Sequence, residues 1–570
     1  MTKLTRLPAT KGRGRRVREI TRQPVHRARR FSRFIVRNSL ALAGFLAAVH
    51  LLLTLLTFLP QPHTGGDNAA YITLARSLLE RQAYLSLYEP GAPPHTQYPP
   101  VFPGLLALGM VLGLKPFAGL KFLISLMSAA AVTFSFLWIL RRRRPVLALG
   151  AGAILAVSPG VLELAHWVLS DVPFWFFTML ALWGFERARP GQRAHWAAAI
   201  AATVLAYFTR SAGLPLLLGA VVWLAWRRKW KPLAVLGGVA LPLAFLWWLR
   251  AQGQGGVDYV SQFWFVNPYQ PELGRIGVTD LFARASENAA RYIRLHLPIL
   301  LTGRTHAMAL LPGLGVTALA LFGWAMRLRR PALAELFLPL YIGLLLIWPA
   351  VWSGERFLLP ALPVLLYFAG DGLVRIAQRV RRGSAFRAGL AVTVLLLLAM
   401  VPAQVDAIRA SGTCTLEFRA GERFPCLPPA WRDWFSVAEW SRTALPQEAV
   451  VLSRKPRLFY VLAGRPGTYY PMSAQPAELL RAAADAGARY IVFDHLDGLS
   501  QRYLVPAVLG RVRAFCLVYD SPFDHTLLLG ILPGADAMAD VPVDPATATL
   551  SECPAAYFSA EALRQRQPPG

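Results

Sequence analysis

Residues 40–60 read LALAGFLAAVHLLLTLLTFLP, an apolar run of about the twenty residues that a helix needs to cross a bilayer. It is too long and too far from Met1 to be the core of a cleavable signal, and no small-residue cleavage site follows it, so it reads as a signal anchor. Further runs of this kind recur along the 570 residues, 55% of which are hydrophobic. Only 16% are charged, against about 25% in soluble proteins. The expected fold class is therefore a mainly α, polytopic membrane protein.

The positive charge is placed in steps. Residues 1–37 hold 13 Lys and Arg against Glu19 alone, a basic arm suited to anionic lipid. Clusters then recur at Arg141–Arg144, at Arg187, Arg189 and Arg193, at Arg227, Arg228, Lys229 and Lys231, at Arg327, Arg329 and Arg330, and at Arg375, Arg379, Arg381, Arg382 and Arg387. Successive clusters leave room for two spans and a loop, the pattern of the positive-inside rule. A net charge of +29 would suggest a nucleic-acid partner if it were spread evenly. It is not, because residues 403–570 carry 16 basic and 17 acidic residues and are nearly neutral.

This ladder predicts about eleven transmembrane helices with the N-terminus inside. Spans are expected near 38–60, 118–140, 145–165, 172–187, 233–250, 307–326 and 386–402, with two further pairs around outer turns at Arg210 and Glu355. The module 38–402 carries outer loops 61–117 and 251–305, and residues 403–570 follow outside. Residues 99–114 are apolar enough to span. Counting them as a span would put Arg141–Arg144 outside, so they are expected to form a re-entrant or surface-lying helix.

All four cysteines, Cys414, Cys426, Cys516 and Cys553, fall after the last span. An even number confined to an extracytoplasmic segment reads as disulfides, the spacing favouring Cys414–Cys426 and Cys516–Cys553 among three possible pairings. Residues 430–533 alternate helix and strand patterns: WRDWFSVAEWSRTALP, EAVVLS, RKPRLFYVLAG, AELLRAAADAGA, RYIVFD and LLLGIL. A small α/β domain is expected there, with a loosely ordered stretch after it.

Polar residues on the expected outer face collect at few places. GGDNAAYITLARSLL, residues 65–79, places Asp67 and Tyr71 just past the first span, and TQYPPVFPGLLALGMVLGL opens with Tyr98 before Pro99-Pro100. Asn68 and Arg76, His95 and Gln97, His166, Ser170 and Asp171 (in SDVPFWFF), Arg210 (in YFTRSAG), Asp258, Tyr259, His296, Arg304 and His306, and Glu355 with Arg356 (in GERFLLP) complete the set. Asp67 admits two readings: an N-cap for a helix at 68–81, or a functional carboxylate. Asp171 is equally placed to start a helix, with Pro173 in its first turn. Arg210 and Arg356 suit lipid-phosphate contact as well as catalysis.

Over residues 35–400 these motifs together resemble the GT-C superfamily of polyprenyl-phosphate-dependent glycosyltransferases. The carriers are GGDNAAY, YPPVFPGLLAL, Ser158-Pro159 with SDVPFWFF, YFTRSAG and ERFLLPALP. The members most similar are bacterial proteins akin to protein mannosyltransferases and lipid A aminoarabinose transferases. Many relatives have Asp-Glu in the first loop where Asn68 follows Asp67 here, which removes one carboxylate from any metal site at that loop.

The resemblance implies transfer of a sugar from a lipid-linked phosphate to an acceptor on the outer face, with inversion. Asp67 would serve as base and Asp171 would orient a substrate. Arg210, Arg356 and Arg304 would hold the donor phosphate, and Tyr71, Tyr98 and His166 would touch substrate. No cofactor is required, a divalent metal being an open option. The expected partners are a polyprenyl-phosphate sugar donor, membrane lipid and an acceptor of unassigned class. Two other classes compete: a flippase for a lipid-linked sugar, which needs polar groups at mid-membrane depth, and a membrane scaffold with an outer binding domain.

Overall fold

The computed structural model describes residues 29–189, 191–252, 259–305, 310–380, 384–521, 526–535 and 550–566. Most of the basic arm, Asp258 and His306 lie outside the described residues. The chain is mainly helical, with one small sheet near its C-terminal end.

A helix occupies each expected span, but the lengths differ. Four are long and apolar enough to cross a membrane: Ser39–Leu56, Ala118–Arg141, Trp230–Ala251 and Ser384–Arg419. By length and composition these are the four among the described residues, so the expected eleven crossings are not confirmed. The reason is visible at 145–165, where Ser158-Pro159 divides the run into helices Pro145–Val157 and Pro159–Leu164. Pro159 cannot donate the backbone bond a continuous helix would need. The 13-residue first piece rises only about 20 Å, short of a hydrocarbon core of about 30 Å. Residues 99–114 likewise hold only a short apolar helix. Their helix, Val101–Val111, is 11 residues, or about 16 Å.

Small residues let the helices close up. Leu310–Ala325 packs against Leu362–Val380 at Gly323 and Gly372, where an added Cβ would strike the carbonyls of Phe368 and Leu319. At the arginine-rich end, Arg142 pairs with Glu186 at 2.7 Å and with Glu335 at 2.9 Å, joining helices Ala118–Arg141, Asp171–Arg187 and Leu333–Ile347. Asp371, fully buried, accepts Arg144, Arg327 and Arg375. Part of the charge ladder is thus held inside the bundle by acids.

Helix Ser384–Arg419 runs on for 36 residues, about 54 Å, past the expected span end at 402 and into the C-terminal domain. Five strands follow: β1 Val451–Leu452, β2 Gly467–Thr468, β3 Tyr490–Asp494, β4 Phe515–Asp520 and β5 Thr526–Ile531. Their order is β2-β1-β3-β5-β4, with β1 parallel to β2 and β3, and β5 antiparallel to β3 and β4. The helices Pro429–Ala444, Pro456–Ala463 and Pro476–Asp485 agree with the sequence patterns. Disulfides join Cys414 to Cys426 and Cys516 to Cys553.

The end of the chain is more ordered than its composition suggests. Among residues 550–566, Glu552 bridges to Leu517, and the Tyr557 hydroxyl donates to the Ile531 carbonyl at 2.6 Å. The Cys553 disulfide and burial of the Tyr557 ring against Tyr490 hold the segment on the sheet.

Candidate functional site

The helix Gly66–Glu80 begins at Gly66, with Gly65 as its N-cap and no side-chain cap. Gly65 is required locally, because an added Cβ would meet the His63 ring, whose Nδ1 accepts the Gly65 N–H at 3.0 Å. Asp67 therefore sits inside the first turn and does not cap the helix. Its carboxylate, 39% exposed, is left for tertiary partners.

Those partners come from three separate parts of the chain. Tyr98 donates its hydroxyl to Asp67 at 2.9 Å. Arg356, from the four-residue helix Glu355–Leu358, lies 3.3 Å from the other carboxylate oxygen. Arg457, from the C-terminal-domain helix Pro456–Ala463, approaches to 3.8 Å. Burial alone would raise the Asp67 pKa. Arg356, Arg457, the Tyr98 hydrogen bond and Arg210 together hold it below the ordinary carboxylate range.

Tyr98 is fixed from both sides. Its backbone N–H donates to His95 Nε2 at 3.0 Å, and its carbonyl accepts the Tyr84 hydroxyl at 2.9 Å. Burial pushes His95 down to about 3, so the ring is neutral. Because Nε2 accepts, the proton resides on Nδ1 and is donated to Ser86 Oγ at 2.9 Å.

Asp171 lies nearby at the head of its own helix. Ser170 precedes it but does not cap; its Oγ meets the Tyr71 hydroxyl at 3.0 Å and accepts from Arg210 at 3.1 Å. Arg210 pairs with Asp171 at 3.0 Å. The Tyr71 and Tyr98 rings, with centroids 4.7 Å apart, join this pair to the Asp67 cluster. Arg210 and Arg356 both lie over the Phe357 ring, at 4.9 and 4.8 Å. One aromatic ring thus gathers the two cations beside the two carboxylates.

The structure brings together Asp67, Asp171, Arg210, Arg356, Tyr71 and Tyr98. Two other candidates are engaged elsewhere. His166 Nε2 meets the Thr54 carbonyl at 2.8 Å, in the packing of the first span, and its ring edge meets Phe58. Arg304 pairs with Asp406 at 2.8 Å on an exposed surface. Among the described residues no three His, Cys, Asp or Glu side chains form a metal-ligand group.

Sequence reasoning missed Arg457. It is buried, donates to Tyr98 Oη at 2.9 Å and to Gln97 Oε1 at 3.0 Å, and stacks over the Tyr88 and Tyr98 rings. A usable signal exists: Arg457 shares a helix face with Val461, one turn on, and that face is apolar. A lone arginine on a face destined for burial needs an acid to meet.

The fold of the helical module with its small C-terminal sheet is shared by solved structures of two other proteins. Two structures of ArnT from Cupriavidus metallidurans align along nearly the whole chain. The apo form has a TM-score of 0.55 and 14% identity, covering 87% of this chain and 99% of that one. The form bound to undecaprenyl phosphate has a TM-score of 0.52 and 13% identity, covering 87% and 98%. The oligosaccharyltransferase of Archaeoglobus fulgidus, complexed with Zn and sulfate, has a TM-score of 0.54 and 14% identity, covering 85% and 72%. Neither a protein-family model nor a curated protein matches the sequence.

Proposed function

We propose that the chain is an integral-membrane glycosyltransferase. It moves a sugar from a polyprenyl-phosphate-linked donor to an acceptor on the outer face of a bacterial plasma membrane, with inversion. The observation that carries this reading is the Asp67 carboxylate, held in a helix's first turn between Tyr98 and two arginines, with the Asp171–Arg210 pair alongside. The shared fold with ArnT, one of whose structures holds undecaprenyl phosphate, supports the donor class.

The chemistry follows from the charges. The acceptor hydroxyl oxygen attacks the anomeric carbon while the bond from that carbon to the phosphate oxygen breaks. The electron pair leaves with the phosphate, which needs cations more than a general acid. Arg356 and Arg210 supply them over the Phe357 ring. The acceptor proton passes to Asp67.

In the free site Asp67 is a weak base, because its arginines hold its pKa low. A donor phosphate that draws Arg356 toward itself removes part of that restraint. Donor binding thereby strengthens the base at the moment it is needed. A lipid-anchored donor also brings its reacting carbon to a fixed depth, which lowers the entropic cost of encounter.

The test uses purified protein in liposomes with polyprenyl-phosphate sugars of several kinds. Arg356→Ala is expected to raise the donor KM and lower kcat together, by about tenfold or more in kcat/KM. Unchanged donor use in both Arg356→Ala and Arg210→Ala would remove the phosphate role.

A further inference from the structure

The end of the bundle remote from Asp67 carries a second site. A cavity of about 470 Å³ lies between helices Pro145–Val157, Leu362–Val380 and Ser384–Arg419, with Phe31 and Ser32 at its edge. Its walls are almost wholly apolar, with Leu147, Ile154, Leu366 and Leu397 among them. Close-packed interiors hold few voids larger than a water molecule. An engineered apolar void of about 150 Å³ stays dry and takes benzene, so this larger one suits a hydrocarbon chain.

The polar lining of the cavity is concentrated in Arg143 and Arg144. Arg144 shares the buried Asp371 with Arg327 and Arg375, so three guanidiniums face one carboxylate. Arg143 is exposed and makes no ion pair among the described residues. A surplus of positive charge at the edge of a hydrocarbon seat calls for an amphiphile with an anionic head.

Helix Ala118–Arg141 sets the distance from the candidate active site. Near its start, Lys121 donates to the Leu59 carbonyl, just ahead of the Asp67 loop, and its far end leads into Arg143. Twenty-four residues of helix separate the two ends by about 36 Å. A phosphate at Arg143 is therefore not the one that meets Asp67.

We propose that this cavity binds one anionic phospholipid, its acyl chain between the three helices and its phosphate on Arg143 and Arg144. The site is independent of the glycosyltransferase reading, and its test needs no turnover.

The full-length protein is delipidated in detergent, offered phosphatidylglycerol, phosphatidylcholine or soluble glycerophosphate, and the retained lipid counted by native mass spectrometry. Wild type is expected to retain one phosphatidylglycerol and neither of the others. Arg143→Glu should lower its occupancy by about tenfold. Ala153→Phe, which fills the cavity, should do the same. Arg141→Glu is the control, exposed at the same end but outside the lining. Equal retention of phosphatidylcholine would overturn recognition of charge. Equal binding of glycerophosphate would overturn the chain seat. Matching losses in Arg143→Glu and Arg141→Glu would overturn the assignment of the head group.

Discussion

Asp67 shows how one residue's role depends on a shift of a single position. As an N-cap its carboxylate would be used by its own helix; in the first turn it is free to meet Tyr98, Arg356 and Arg457. Its depressed pKa fixes a sign. The folded form favours the ionised carboxylate, so its stabilising contribution is present above the unfolded value and is lost as pH falls through the folded one. Arg457→Ala removes one of the cations responsible, so the acid limb of the kcat/KM profile is expected to move to higher pH, with Arg457→Lys restoring most of it. A pH–rate series checks this, and a profile unchanged in Arg457→Ala would contradict the coupling. The sequence marked Asp67, Asp171, Arg210 and Arg356 because charges beside hydrocarbon are costly. It did not mark Arg457, whose acid partner lies 390 positions earlier in the chain and comes close only through tertiary folding.

At the scale of elements, periodicity was most informative where a helix has one apolar face, as in Pro429–Ala444 and Pro476–Asp485. β4 escaped because a register shift between Leu517 and Tyr519 interrupts its pairing, and β2 because Gly467-Thr468 offers no apolar run, unlike the equally short β1. Two buried carboxylates make opposite predictions. Asp371 ties helix Leu362–Val380 to Arg144 and Arg327 on its neighbours, and Asp371→Ala leaves those arginines facing one another. The loss in unfolding free energy is expected to be about 3–5 kcal/mol, read by thermal melting in detergent. Asp494, at the end of β3, is instead raised to about 6 by burial, although the Ser500 hydroxyl and the Leu496 N–H favour its charge. The folded state then binds the extra proton, so stability falls as pH rises from the unfolded carboxylate value to about 6 and is level above. Asp494→Asn keeps an acceptor for Ser500 and is expected to stabilise the C-terminal domain at pH 7 by up to about 3 kcal/mol. A melt at pH 5 should show a smaller gain, and equal gains at both pH values would contradict the shift.

At the scale of the whole molecule, the C-terminal domain is part of the site. Helix Pro456–Ala463 packs on helix Gly66–Glu80, and the Gly467 N–H donates to the Tyr88 carbonyl at 2.8 Å. Composition and the charge ladder made a helical module and a nearly neutral C-terminal tail legible. They did not reveal that the tail returns an arginine to the loop after the first span, because no local pattern encodes that docking. The central claim is that Asp67 takes the acceptor proton in sugar transfer, and Asp67→Asn tests it most directly. Asn keeps the size and an acceptor for Tyr98 but has no basicity. Transfer from a polyprenyl-phosphate-linked sugar by the purified variant is expected to fall by about 10²–10⁴-fold, with folding and expression retained and a melting temperature lowered by loss of the charge that Arg356 and Arg457 face. Transfer at the wild-type rate by a folded Asp67→Asn protein would contradict the account.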